Sequence, residues 1–361
     1  MTYQLFSRLI FRKNSWLVAC CITLLAWLLS GLVVASLAAP PLNTGMTAHR
    51  AQNQLSQKFM QLIDDDNEWG SIEPHIVKDA FGTEMAIWEA FDGVRYRIWS
   101  KRRLLYAQWG ITSPVESNTG NAFSPRIAFD AQGNVLAVWQ QDDDFRSNIW
   151  TNKYVPGRGW GIATRMTASS TGNAIEPQIV SDAKGNAMAV WQQMDGTHGS
   201  NAKNVSVAST SRIIANRYEA NSGWGLPVSV ESNSAFAKAP QLAGDVNGNV
   251  TVVWHTYDGK RTNIRANRYE VGSGWGKPVD IESNKTGLAY NPHIEITVKG
   301  YAQVMWQQIM GASNHVWMNH FKVGMGWGKA MRIEANGANV VDMTYTAKRI
   351  EQTIPAEKSI K

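Results

Sequence analysis

Residues 249–282 read NVTVVWHTYDGKRTNIRANRYEVGSGWGKPVDIE, and four other parts of the chain are copies of this stretch. The second copy, at 134–166, is NVLAVWQQDDDFRSNIWTNKYVPGRGWGIATRM. The third divides into NAMAVWQQMDG and IIANRYEANSGWGLPVSVE, and the fifth into AQVMWQQIMG and HVWMNHFKVGMGWGKAMRIE. The first and most diverged has EMAIWEAFDG and RIWSKRRLLYAQWGITSPVE. Two markers set the register independently. Trp88, Trp139, Trp191, Trp254 and Trp306 are spaced 51, 52, 63 and 52, while Trp109, Trp160, Trp224, Trp275 and Trp327 are spaced 51, 64, 51 and 52. A period near 50 residues points to solenoids, propellers or arrays, with about eleven extra residues in the third copy.

Short runs rich in Val, Ile, Trp and Tyr, separated by Gly, Asn, Asp and Pro, fill each copy and read as strands and hairpin turns. In the fourth copy these are PQLAGD, NVTVVWH, NIRANRYE and WGKPVDIE. Four strands in about 52 residues make one propeller blade. The fold class is therefore all-β: a propeller of five four-stranded blades, or of six with a composite closing blade. Turns of the form Asp-x-x-Gly at 79–82, 130–133, 182–185 and 245–248 join the first strand to the second. There the Asp accepts from turn amides and the Gly takes positive φ. The repeated indoles bury about 150–250 Å² each and pack neighbouring blades together.

The segments Glu270-Val-Gly-Ser-Gly-Trp275-Gly-Lys-Pro278 and Glu219-Ala-Asn-Ser-Gly-Trp224-Gly-Leu-Pro227 carry a family resemblance. They resemble degenerate Asp-boxes, the bacterial neuraminidase repeat of sialidase-like propellers, with Glu where that pattern has Asp. The resemblance covers roughly residues 73–334 and implies the propeller fold, with functional sites on the face opposite the boxes. Arg126, in Ser124-Pro125-Arg126-Ile127, is similar to that family's first arginine motif, but it stands in the second copy.

Residues 1–39 read as a signal peptide or signal anchor. Arg8, Arg12 and Lys13 precede 24 charge-free positions at 16–39, enough for a bilayer-spanning helix, ending in a stretch that suits signal peptidase. Either outcome exports the repeats, to the periplasm or cell surface, with the inner membrane as anchor if the leader is uncleaved. Both cysteines, Cys20 and Cys21, lie in the leader, so the exported body has no disulfide or thiol site. Residues 40–66 form a linker with a short amphipathic helix, 67–350 the repeats and 351–361 a tail. Flanks near Trp69 and Tyr345 are candidates for the closing clasp. Of 35 basic residues three belong to the leader, leaving 32 against 29 acidic. No Lys/Arg cluster with interleaved aromatics stands out beyond Lys101-Arg102-Arg103, which reads against nucleic acid as a partner.

Because strands alternate in direction, the ends of the second strands share the face opposite the boxes. Candidate binding residues there are Gln140, Gln192, His255 and Gln307, followed by Asp143, Asp195 and Asp258 in the next turns. The insertion adds His198, Asn201 and Lys203 to the same rim. Amides and carboxylates around an axis suit sugar hydroxyls. No catalytic residue, metal cluster or cofactor motif emerges. The reading is an exported, non-enzymatic binding or protein-interaction module of the cell envelope, with an envelope or extracellular protein or glycan as partner. A sialidase-like glycoside hydrolase and a glycan-binding lectin are the alternatives.

Overall fold

The computed structural model describes residues 74–333, apart from 118, 144, 168–171, 196–209, 232–235, 284–285 and 298–299. The leader, the linker helix, the two flanks of the clasp and the tail lie outside the described residues, as do His198, Asn201 and Lys203. Within them the chain is all-β, with no helix, and forms five antiparallel sheets in sequence order. The propeller of five blades is thereby established.

Blade 4 shows the plan. Ala237–Gly244, Val250–Tyr257 and Thr262–Glu270 are its first three strands. The fourth, continuous in the sequence reading, is two short pieces, Gly274–Trp275 and Val279–Asp280, both paired with the third strand. The break has a local cause. Pro278 has no N–H to give, and the buried Asn267 side chain donates to Gly276 O at 3.1 Å and to Val230 O of blade 3 at 2.7 Å. Asn152 and Asn319 make the same pair of bonds in blades 2 and 5. In these three blades an asparagine thus ties the broken strand to the preceding blade.

The first strands of successive blades pack beside one another and form the inner wall. Between blades 3 and 4, Trp254 packs against Met188, Val190, Ile213 and Ala215. Trp139, Trp191 and Trp306 occupy equivalent wedges and are fully buried. The second tryptophan set behaves differently. Trp160, Trp224, Trp275 and Trp327 are half-buried and meet Tyr154, Tyr218, Tyr269 and Phe321 of their own blades edge-on, with ring centres 5.3–5.6 Å apart.

Those aromatics also receive a cation from the blade before. Arg102 lies over Tyr154, Lys153 over Tyr218, Arg217 over Tyr269 and Arg268 over Phe321, at 5.0–5.8 Å. At the ends of the series the corresponding positions hold Arg103 instead of an aromatic in blade 1 and His320 instead of a cation in blade 5. Arg103 turns to Trp109 and Glu84 of its own blade. Burial pushes the His320 pKa down, with Lys322 nearby adding to the shift.

The Asp-x-x-Gly turns form as read from sequence. Asp245 Oδ1 accepts from Asn247 N and Asn249 N at 3.0 Å, and Gly248 has φ 85°. A methyl on Gly248 would stand 2.6 Å from Asp182 Oδ2 of the preceding blade. Glycine is needed there both for backbone and for room.

Candidate functional site

Opposite these turns, the first strands of blades 2–5 each carry a bulge, at Phe123/Arg126, Ile175/Gln178, Lys238/Gln241 and Tyr290/His293. Within each bulge a non-glycine residue has positive φ: Ser124 50°, Glu176 55°, Ala239 50° and Asn291 49°. Every one of them precedes a proline, a context that disfavours helical backbone and pushes the residue towards extended conformations. Such residues cost about 1–3 kcal/mol each and gather where a structure must aim a side chain. Four of them stand in register around the inner wall.

The bulges stand beside the second-strand ends singled out in the sequence. By register Gln140 lies opposite Phe123, Gln192 opposite Ile175, His255 opposite Lys238 and Gln307 opposite Tyr290. Gln140 Nε2 donates to Ser147 Oγ at 3.1 Å, Gln192 is buried, and Gln307 Oε1 accepts from Asn291 Nδ2 at 3.5 Å. Burial pushes the His255 pKa down to about 4, aided by Lys238, so its ring is neutral at pH 7. The three aspartates serve their own hairpins. Asp143 and Asp258 each accept two turn amides and an asparagine Nδ2, while Asp195 accepts from Thr210 Oγ1 and pairs with Arg212.

Glu89 occupies the same second-strand position in blade 1, and the junction of blades 1 and 2 brings it near Arg126, which in turn lies near His75. Glu89 Oε2 accepts from Ser124 N, the strained residue of the bulge, at 2.6 Å. His75, on the first strand of blade 1, accepts from Ile127 N through Nδ1 at 3.3 Å. Burial, then the charge of Arg126, pushes the His75 pKa down to about 4. Its imidazole is therefore neutral, with the proton on Nε2. Arg126 follows the bulge. Its Nη1 donates to Pro125 O at 2.9 Å, burial pushes its pKa down, and Glu89 partly restores it. Among the described residues no carboxylate forms an ion pair with Arg126. By contrast Arg97, Arg103, Arg212, Arg217, Arg261, Arg265 and Arg268 all have one.

Three aromatics form a continuous row across the same junction. Phe91 and Tyr96 have ring centres 5.5 Å apart, and Tyr96 and Phe123 5.3 Å. Phe91 is two residues past Glu89 and Phe123 adjoins Ser124, so the row flanks the carboxylate. A partly buried cation, a carboxylate, a neutral imidazole and apolar rings at one blade junction suit a ligand with both anionic and apolar surface.

A second feature of this face lies in the links between blades. Glu116, Glu231 and Glu282 are buried at one position after the fourth strand. Glu116 takes two hydrogen bonds from Arg97, at 2.7 and 3.1 Å, and Glu231 accepts from Ile213 N at 2.9 Å. Glu282 accepts from Ile264 N and pairs with Arg261 at 3.3 Å. Burial pushes Glu231 and Glu282 up to about 7 despite these partners. The folded state then holds protons that the unfolded chain has released. These groups stabilise the fold below about pH 4.5, and that stabilisation is lost as pH rises through 7. Glu231→Gln keeps the acceptor for Ile213 N and removes the titration. The variant is expected to melt at a higher temperature than the parent at pH 8, with the gap closing at pH 5. A gap equal at both pH values would count against this account.

No family model matches the chain, and no curated protein matches it. Among solved structures, an ulvan lyase of polysaccharide lyase family 25 has a TM-score of 0.52 at 9% identity, covering 73% of this chain and 69% of that one. A protein of unknown function from Dyadobacter fermentans has a TM-score of 0.51 at 8% identity, covering 76% and 85%. An α-L-arabinanase from Penicillium chrysogenum has 0.47 at 12%, covering 76% and 84%. Likeness at such identity establishes the propeller fold. It also corrects the functional expectation: the fold is shared with a polysaccharide-cleaving enzyme, against the reading of a non-enzymatic binding module.

Proposed function

We propose that this chain is a glycan-processing enzyme of the sialidase-like propeller type, exported from the cytoplasm, that cleaves an acidic polysaccharide at the junction of blades 1 and 2. Arg126 carries the reading: a guanidinium held half-buried on the inner wall without a carboxylate partner is an anion site waiting for a ligand. Arg126 engages the sugar carboxylate, Glu89 is the candidate proton donor or acceptor, and His75 donates through Nε2 to a sugar oxygen. The Phe91–Tyr96–Phe123 wall takes the apolar face of a sugar ring. In support, the ulvan lyase of similar fold was solved bound to -[GlcA(1-4)Rha3S]-, an acidic repeat.

The test is turnover of a panel of uronate-rich and sialylated glycans by the purified full chain. Reducing ends and the ultraviolet absorbance of unsaturated uronate ends are followed together. New ends on an acidic glycan, and none on its carboxyl-reduced form, are expected; absorbance separates elimination from hydrolysis. Equal cleavage of the two forms, or none across the panel, would overturn the proposal.

A further inference from the structure

Each junction between successive blades is packed from two halves. Between blades 4 and 5, Val253, Ile264, Ala266 and Ile281 of blade 4 form a socket, and blade 5 fills it with Trp306 from its second strand and Ala289 and Ile294 from its first. Blades 2, 3 and 4 insert Trp139, Trp191 and Trp254 in the same way. Blade 5 repeats the socket in register as Met305, Val316, Met318 and Ile333, yet among the described residues no tryptophan enters it.

Blade 1 does not supply the missing half. Its Ile76 and Trp88, the copies of Ile127 and Trp139, pack with Ala86, Ala90, Trp99 and Trp109 of their own blade. The first strands of blades 1 and 5 also lack the side-by-side packing that joins the other successive pairs. Met305, Val316 and Met318 are nonetheless only 0–3% exposed, so this socket has another occupant. The chain itself continues from its wall, because Ile333 is the last described residue. At the earlier junctions the first strand enters the socket at a fixed distance from the residue equivalent to Ile333. Ala122 and Ile127 come 7 and 12 residues after Val115, and Ala237 and Leu242 come 7 and 12 after Val230; the other two junctions add one residue. Counting 7 and 12 from Ile333 reaches Val340 and Tyr345, in Asn339-Val-Val-Asp-Met-Thr-Tyr345, which reads as a strand. Both are larger than the residues they replace, as a close-packed socket without an indole requires.

We infer that residues 340–345 return along the inner wall beyond blade 5 and seat Val340 and Tyr345 in the socket of Met305, Val316, Met318 and Ile333. The last blade is thus closed by the chain's own C-terminal flank. The five complete blades are unchanged by this, and the inference stands apart from the proposed chemistry.

The test is brief oxidation of the full chain with dilute hydrogen peroxide, read at each methionine by mass spectrometry. Met305 and Met318 report the socket, Met85 and Met188 are equally buried at other junctions, and the exposed Met325 shows that the reagent acts. In Val340→Asp with Tyr345→Asp, oxidation of Met305 and Met318 is expected to rise several-fold while Met85 and Met188 stay protected. Thr344→Asp, at the first-strand position of Arg126 and so outside the socket, should change nothing. Where the double variant loses protection at all four methionines, a milder pair decides. In a chain carrying Cys20→Ser and Cys21→Ser, Tyr345→Cys should resist a maleimide under native conditions and Thr344→Cys should react at once. Unchanged Met305 and Met318 in the double variant, or equal labelling at 344 and 345, would overturn the inference. So would exposure of the socket by Trp88→Ala alone, which makes blade 1 the occupant, or protection that fades on dilution, which makes it a second copy.

Discussion

Arg126→Met is expected to lower kcat/KM on an acidic glycan about 10²–10³-fold, the loss seen when one preorganised charged donor is removed from a reacting site. The same substitution should leave thermal stability unchanged or slightly raised. Arg126 gives one hydrogen bond to Pro125 O and no ion pair among the described residues, so its removal relieves a desolvated charge instead of orphaning a partner. The two readouts thus move apart, whereas a packing role would make them fall together. Arg126→Lys should recover only part of the activity, because an ammonium cannot meet a carboxylate through two parallel bonds. Turnover within a few-fold of the parent in Arg126→Met would remove Arg126 from the site.

The largest effect on stability is expected from Trp254→Ala. The indole fills the wedge between blades 3 and 4 and is completely inaccessible, and a buried tryptophan truncated to alanine costs about 3–5 kcal/mol. A domain holding about 5–15 kcal/mol in total loses a large part of it. Trp275→Ala, at the half-buried edge-on pair with Tyr269, should cost distinctly less. Urea unfolding followed by the remaining tryptophans measures both. Equal costs would show that the two indole sets are interchangeable, contrary to their different surroundings.

The architecture was legible because the same residue types return in register. Tryptophans, Asp-x-x-Gly turns and apolar runs each describe the blade, and errors in one are checked by the others. The site was legible only in part. Arg126 and the second-strand ends could be named, but His75 and Arg126 are far apart in the chain and approach one another only because successive first strands form one wall. The bulges were hidden for a different reason. A residue before proline reads as extended, and Ser124, Glu176, Ala239 and Asn291 share no side-chain chemistry that signals positive φ. A signal was nevertheless present: Pro74, Pro125, Pro177, Pro240 and Pro292 recur at the tryptophan spacing. Glu116, Glu231 and Glu282 recur likewise after the fourth strand. Their burial, which raises two of them to about 7, depends on the neighbouring blade and has no local signature.

The contacts of cation on ring between blades run in one direction, and this makes the blades unequal. Blades 2, 3 and 4 each receive a cation on one side and offer one on the other, whereas blade 1 can only give and blade 5 can only receive. A duplicate of a middle blade would find both neighbours ready for it; a duplicate of either end would set Arg103 or His320 where its partner is missing. Growth of such a protein by copying is thus confined to its interior.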